Sequence, residues 1–225
     1  MRYELYYWPS IQGRGEFIRL ALEDAGAAYL DVARRPGGMA KLEKLLEGGD
    51  RPPFAPPFLK AGRLLIAQTA NILHFLGPRL GLAPKAEAER LWLHQLQLTI
   101  ADWLVDAHDT HHPIGGAFYY EDQKPESRRR AAHYRKERLP QFLDYFENLE
   151  KRPFSYVDLS LFQMIEGHRY AFPRAMARLE PKYPRLVALH DRAARRPRIA
   201  AYLASKRRIP FNQHGIFRHY PELDD

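Results

Sequence analysis

The hydrophobic pattern of the first third of the chain predicts alternating strands and helices. Residues 2–8, RYELYYW, alternate in the manner of a half-buried strand rich in aromatic side chains. Residues 16–25 repeat apolar positions at helical spacing, and Gly26 is a helix-ending residue. Residues 28–33 read as a second strand. Because β, α and β follow one another within about thirty residues, we expect a parallel pair joined by a crossover helix.

The pattern changes to helix after a second pair of strands. A short helix is expected at 39–47, a hairpin at 57–61 and 63–67, and a helix at 69–80, which completes the order β-α-β-α-β-β-α. Further helices are expected at 87–112, 126–150, 156–171, 173–179, 184–194 and 197–205. The predicted division is an α/β domain at 1–80, a linker at 81–86 and an all-α domain at 87–225, whose irregular tail, 209–225, packs back.

In the stretch APPFLKAGRLLIAQTAN, residues 55–71, two adjacent prolines stand at the start of a predicted strand, and two polar residues stand at the start of a predicted helix. A proline donates no ladder hydrogen bond and is tolerated at the first residue of a strand, and a cis bond at Pro56-Pro57 would leave the Pro56 carbonyl free for a ligand. Gln68 and Thr69 stand where unpaired helical N–H groups bind carboxylates well. The stretch is either a socket for a peptide that ends in a carboxylate or an ordinary N-cap beside a turn proline.

The amino-acid composition excludes several kinds of functional site. The 225 residues contain no cysteine, which excludes disulfides, thiolate metal sites and a protein thiol nucleophile, so any sulfur must come with a ligand. The net charge is +8, but the basic clusters at 128–130, 195–198 and 206–208 read as solvated helix faces without the interleaved aromatics of a nucleic-acid site. No signal-peptide or transmembrane run is visible, and we expect a soluble cytoplasmic protein.

Taken in order, these motifs resemble the glutathione transferase family along nearly the whole chain. RYELYYW resembles its first strand, GRGEFIRLAL the first helix of the sigma-like classes, PPFL the cis-proline strand, and QTANILHFL the segment that binds the γ-glutamyl end of glutathione. SYVDLSLFQ, with the spacing of a capping box, resembles the start of a helix in the C-terminal domain. Only KRPF, 151–154, stands where the family has a longer loop.

The resemblance implies a thioredoxin-like domain followed by an all-α domain, in a Tyr-type, sigma-like enzyme of bacterial or fungal kind. Such a homodimer would conjugate the thiol of glutathione, its co-substrate, to small hydrophobic electrophiles in detoxification, without a metal. Tyr7 lies where the Tyr-type classes carry the hydroxyl that stabilises the thiolate. Ser10 is the reserve, as in the Ser-type classes, whereas Tyr6 should face the other side of the strand.

The resemblance also implies the remaining site residues. Arg14 would orient the sulfur or the glycine carboxylate, and Lys41 or Lys44 would pair with that carboxylate, although each could equally be a surface charge. Asp106 of a partner subunit would reach the γ-glutamyl amine. The electrophile pocket would draw on aromatic and aliphatic residues that could otherwise be core: Trp8, Ile11, Trp103, Tyr119, Tyr120 and Phe211.

Two alternatives and one further motif stay open. The chain could be a non-catalytic glutathione-binding or structural protein on the same fold, or a glutathione-dependent peroxidase or isomerase. His108 and His112 have the i, i+4 spacing that metal sites use, near His111. No HExxH motif or cysteine accompanies them, and lining of the substrate cleft or of the helix end is favoured over a metal.

Overall fold

The computed structural model describes residues 2–150 and 152–225. Its N-terminal part contains four strands and three helices in the predicted order, which confirms the βαβαββα arrangement. These elements are β1 (Tyr3–Tyr6), α1 (Gly15–Ala25), β2 (Tyr29–Asp31), α2 (Gly38–Glu47), β3 (Phe58–Ala61), β4 (Leu64–Ala67) and α3 (Thr69–Arg79). Gly26 ends α1 in the left-handed conformation, as predicted.

The four strands form one mixed sheet with the order β2-β1-β3-β4, in which β1 and β2 are parallel and the other neighbours antiparallel. Leu5 packs with α1 and α3 on one face, whereas Tyr6 packs with α2 and stacks on Phe58 on the other. Alternation therefore turns Tyr7 toward α1, one register position beyond the Tyr6–Phe58 pair. The Pro56-Pro57 bond beside it is cis.

A helical part follows. Its helices are α4 (Glu87–His108), α5 (Lys124–His133), α6 (Leu139–Glu147), α7 (Tyr156–Ala171), α8 (Pro173–Leu179), α9 (Pro184–Ala194) and α10 (Pro197–Leu203). α4 ends at His108, four residues before the predicted end at 112. The domain division at 81–86, between α3 and α4, stays a prediction.

The helix predicted over 126–150 is present as one helical run that ends at Glu147, but it is not α-helical throughout. A π-helical segment, Tyr134–Arg138, separates α5 from α6, and the Leu139 amide donates to the Tyr134 carbonyl. The physical reason is Pro140, which has no N–H and whose ring crowds the preceding turn, so the chain widens before it. The short connection 151–154 begins with Lys151, which lies outside the described residues.

Helix α7 runs through the centre of the helical core. Its predicted capping box is present: Ser155 accepts from the Val157 amide, and Asp158 accepts from the Ser155 amide at 2.8 Å. A helix that is buried nearly all round needs such caps, because its first N–H groups cannot reach water. α7 packs against α1, α4 and α9, so it joins the sheet domain to the helices.

The tail after residue 208 packs back on the body, as predicted. Phe217 lies flat on Gly167, where a Cβ would come within 2.4 Å of the ring. Asp224 accepts from the first amides of α8, those of Arg174 and Ala175. Among the described residues, no helix combines the length and the apolar character that crossing a membrane requires.

Candidate functional site

Tyr7 stands at the end of β1 with its hydroxyl under the first turn of α1. The side chain is 4% exposed, and its oxygen accepts a hydrogen bond of 2.9 Å from the Arg14 amide. Within the described ranges the Tyr7 O–H itself donates to no acceptor. Burial raises the pKa of Tyr7, and the Arg14 amide and charge and the Arg19 charge offset this only in part. The phenol is therefore neutral near pH 7 and keeps one donor for a ligand.

The two other hydroxyls considered from the sequence lie differently. Tyr6 donates to Glu4 at 2.8 Å, and burial together with that contact raises the pKa of Tyr6 to about 12. Its proton is thus already engaged, on the face opposite Tyr7. Ser10 is exposed, and its carbonyl accepts from the Asn212 side chain at 2.8 Å.

A cleft of about 280 Å³ opens between the starts of α1 and α3 and one side of α4. It brings together Arg14, which directly precedes α1, with Gln68, which directly precedes α3, and Thr69, the first residue of α3. On the α4 side it is lined by His94 and Gln97. The sheet makes this possible because β1 and β4 both lead into helices at the same edge of the domain.

The α3 start has two unusual features. Gln68 has φ of 68° and ψ of 123°, a region that a residue with a side chain adopts at a cost of about 1–3 kcal/mol. The Thr69 Oγ1 is buried and has no hydrogen-bond partner among the described residues. A strained residue before a helix and an unpaired hydroxyl at its first position together present donors to an anion.

Comparisons with known proteins bear on this geometry. Residues 108–206 match a family model described as "Glutathione S-transferase, C-terminal domain". The chain is 26% identical over 221 residues to "Glutathione S-transferase P 1" of Xenopus laevis, covering 92% of this chain and 93% of that protein. It is 25% identical over 228 residues to "Glutathione S-transferase 2" of Onchocerca volvulus, covering 96% and 99%.

The solved structures agree with the sequences. The Pi-class glutathione S-transferase of Onchocerca volvulus superposes with a TM-score of 0.72 at 25% identity, over 96% of this chain and 99% of that one. The chain is thus similar over nearly its whole length to proteins named glutathione S-transferase, and part of its helical region matches the model of their C-terminal domain. A prostaglandin synthase D of Nilaparvata lugens, at 19% identity and a TM-score of 0.68, shares the fold of this chain.

Three of the predicted glutathione ligands lie outside the cleft. Lys41 and Lys44 are exposed on α2, and their contact with a glycine carboxylate stays a prediction. Asp106 is half-buried on α4 and forms ion pairs with Arg130 and, at 2.7 Å, with Arg138 of its own chain. Its contact with glutathione bound to a second copy also stays a prediction, and both carboxylate oxygens are already accepting.

One predicted electrophile-pocket residue is wrong. Trp103 is fully buried, stacks on Phe142 at 5.4 Å and donates to the Tyr134 hydroxyl, so it is core. An aromatic residue at helical spacing does not reveal which neighbour covers it.

The other predicted pocket residues are scattered. Trp8 is 38% and Tyr119 is 78% exposed, and Ile11 is half-buried next to the Gln12 loop. Tyr120 stacks on Tyr220 at 3.7 Å. Phe211 stacks on Tyr170 and borders a small cavity with Gln12 and Gly13.

The three histidines at the end of α4 form a cluster of ring contacts, within which His111 and His112 are hydrogen-bonded. His111 donates from Nε2 to the Ile216 carbonyl at 2.7 Å, and its Nδ1 lies 2.5 Å from Nδ1 of His112. The His108 ring is 5.1 Å from that of His111. Burial lowers the pKa of His112 to about 4, so the group is neutral near pH 7 and ties the end of α4 to the tail.

Sequence reasoning missed the α4 side of the cleft. The ring centroids of His94 and His74 lie 4.7 Å apart, and the buried Nδ1 of His94 has no hydrogen-bond partner in the described part of the chain. Gln97 is buried and accepts from Ser160 at 2.8 Å. His94 and Gln97 are three residues apart, so they lie on one face of α4, and this spacing could have indicated a polar lining. Asp106 on the same helix is charged and gave the stronger signal in the sequence.

Proposed function

We propose that this transferase conjugates the thiolate of glutathione to small hydrophobic electrophiles, with the Tyr7 hydroxyl as the donor that stabilises the thiolate. The observation that carries the proposal is the Tyr7 oxygen, which accepts from the Arg14 amide and leaves its own O–H without an acceptor. A neutral phenol held in this way donates to an anion and does not act as a base.

The required stabilisation is within reach of one donor. A free thiol has a pKa of about 8.5, so lowering it by about two units needs ~2.7 kcal/mol in favour of the thiolate. A hydrogen bond to a charged group supplies ~1.5–3 kcal/mol, and the start of α1 adds ~0.3–1 kcal/mol. The Arg14 amide matters because it fixes the direction in which the Tyr7 proton points.

The cleft beside Arg14 supports a site for the γ-glutamyl end of glutathione. In the proposal the unpaired Thr69 hydroxyl and the first amides of α3 bind the carboxylate, and Gln68 is held by its strained backbone to face the same group. Pro56 offers its carbonyl to the cysteinyl part of the peptide. Lys41 or Lys44 pairs with the glycine carboxylate, since both extend from the neighbouring α2.

A second copy of the chain is the proposed partner. Large apolar side chains are exposed at two places in the chain: Leu91, Leu98 and Val105 recur every seven residues along α4, and Phe54, before β3, is 96% exposed. Solvent-exposed apolar side chains in a continuous row indicate an interface. The α4 row adjoins the cleft through Leu98, so dimerisation would close one wall of the site.

The relatives include one named as Pi-class, and the sigma-like assignment of the sequence rests on the GRGEFIRLAL motif alone. We therefore propose the Tyr type without assigning a class. In this proposal the identity of the electrophile depends on Trp8, Ile11 and Tyr119, the predicted pocket residues that are not core.

The experiment that tests the proposal is the ultraviolet difference absorbance of bound glutathione thiolate as a function of pH. We expect an apparent thiol pKa well below the free value in the parent protein, returning toward it in Tyr7→Phe. Tyr6→Phe is the matched control, because it removes a neighbouring phenol on the opposite face. A loss only in Ser10→Ala would make the enzyme Ser-type, and a parent protein without bound thiolate would support the non-catalytic alternative.

A further inference from the structure

The loop that precedes α1 is held by residues from distant parts of the chain. Gln12 is 5% exposed, and its side chain has two partners: Oε1 accepts from Gln163 of α7 at 2.8 Å, and Nε2 donates to the Ile209 carbonyl at 2.5 Å. Its own carbonyl accepts from the Glu16 amide at 3.0 Å and from Arg19 at 3.3 Å. Every hydrogen-bonding group of Gln12 named here is therefore engaged.

Gln12 is two residues from the amide that contacts Tyr7. Gly13 lies between them with φ of 42°, and a Cβ there would come within 2.1 Å of the Tyr7 hydroxyl oxygen. The backbone thus passes against the phenol, and the Arg14 N–H reaches it at 2.9 Å. Because Gly13 itself has no side chain to anchor it, the direction of the Arg14 amide is set by what holds Gln12.

The support behind Gln12 is a buried chain of polar groups. Gln163 is fully buried and accepts from Arg208 at 3.0 Å, and Arg208 also pairs with Glu16. Glu16 is fully buried in the first turn of α1 and accepts from Tyr202 at 2.7 Å. A polar network with its members satisfied in this way holds a single arrangement, because each broken bond leaves a buried group unpaired.

We propose that Gln163, together with Arg208 and the Ile209 carbonyl, is a positioning residue for thiolate formation. Acting through Gln12, it holds the Arg14 amide on the Tyr7 oxygen and so directs the Tyr7 proton at the sulfur. This inference rests on the proposed function of Tyr7. It assigns part of the activating machinery to α7 and to residues 208–209, which act on Tyr7 through Gln12.

The test is the pH titration of bound glutathione thiolate in Gln163→Leu and Gln12→Ala, with kinetics on the same proteins. We expect each variant to raise the apparent pKa of the bound thiol by about one unit, which lowers the thiolate fraction about tenfold below that pKa. The fall should be in kcat, with KM for glutathione changed by less than about twofold, because the proposed carboxylate contacts are unaltered.

A double-mutant cycle separates positioning from general loosening. If both residues act through their one contact, the double variant should show little more than either single shift. Ser155→Ala is the matched control: it removes a buried polar cap from the same helix, so it should lower the thermal unfolding temperature and leave the thiol pKa unchanged.

The thiol pKa values of these variants decide whether Gln163 is a positioning residue. Thiol pKa values equal to the parent's in folded Gln163→Leu and Gln12→Ala would overturn the inference, as would equal shifts in Ser155→Ala. If Gln163→Leu does not fold, Gln163→Glu serves, because it keeps the acceptor for Arg208 and loses the donor to Gln12. A parent protein without a lowered thiol pKa, or an unaltered Tyr7→Phe, would refute the proposed function first, and this inference with it.

Discussion

Replacing Gly13 by alanine tests whether the position of the Tyr7 hydroxyl controls the reaction. The new Cβ would lie 2.1 Å from the Tyr7 oxygen and 2.9 Å from Cζ, whereas real Cβ contacts stay beyond 3.0 Å. The phenol or the loop must therefore move by about 1 Å, and a misplacement of that size at a reacting group costs up to about 10²-fold in rate. A left-handed alanine adds about 1–2 kcal/mol of instability.

Gly81→Ala provides the control for that backbone penalty. Gly81 has φ of 70°, and a Cβ there meets nothing within 4 Å. Both variants should carry the left-handed backbone penalty in urea unfolding, and the clash should add to it in Gly13→Ala. Only Gly13→Ala should also lose kcat, by up to about a hundredfold. Steady-state kinetics at saturating glutathione measure this. If folded Gly13→Ala kept a kcat within about threefold of the parent, the argument from hydroxyl position would be refuted.

Three further predictions use other parts of the molecule. Thr69→Val removes the unpaired hydroxyl at the α3 start; calorimetry should show glutathione binding weakened about tenfold or more, since a hydrogen bond to a charged group is worth ~1.5–3 kcal/mol, and unaltered binding would contradict the assigned role. Phe54→Ser with Leu98→Glu should convert a dimer to a monomer in sedimentation velocity; a monomeric parent would rule the interface out. Burial lowers the pKa of His168 to about 4, so between pH 6.5 and pH 4 the unfolded chain binds a proton that the folded chain does not. Stability should accordingly fall as the pH drops through that window, by up to about 1.4 kcal/mol per pH unit for this group, and His168→Gln should show a shallower slope in urea titrations; an identical slope would exclude His168 as the cause.

The elements that local pattern specifies were predictable. The strand of RYELYYW, the Gly26 helix end and the capping box of Ser155 and Asp158 each rest on interactions between residues close in sequence. The π-helical segment between α5 and α6 was not predicted, although Pro140 signals it. A proline near the start of a helical run reads equally well as part of one long helix.

The candidate site was predictable where its residues are neighbours in the sequence. Gln68 and Thr69 are adjacent in the chain, and their helix start carries its own signal. Arg208 was predicted to be solvated with its basic neighbours, but its side chain is 9% exposed because it pairs with Glu16. Pairing between residues 192 positions apart leaves no local pattern, and the same holds for Gln12 and Gln163.

The contact between Gln12 and the Ile209 carbonyl spans 197 positions, and this separation has a consequence for how the protein is made. During synthesis the four strands and α1 emerge long before residue 209, and a domain begins to fold once its own residues are available. The sheet can then assemble early while the loop next to Tyr7 still lacks its last anchor. A nascent chain arrested after α7 would have Tyr7 in a folded sheet, while the loop that contacts the Tyr7 hydroxyl lacks the Ile209 carbonyl. With Tyr7 in its proposed role, activity would appear only after α10 and the residues up to 209 have packed against α1.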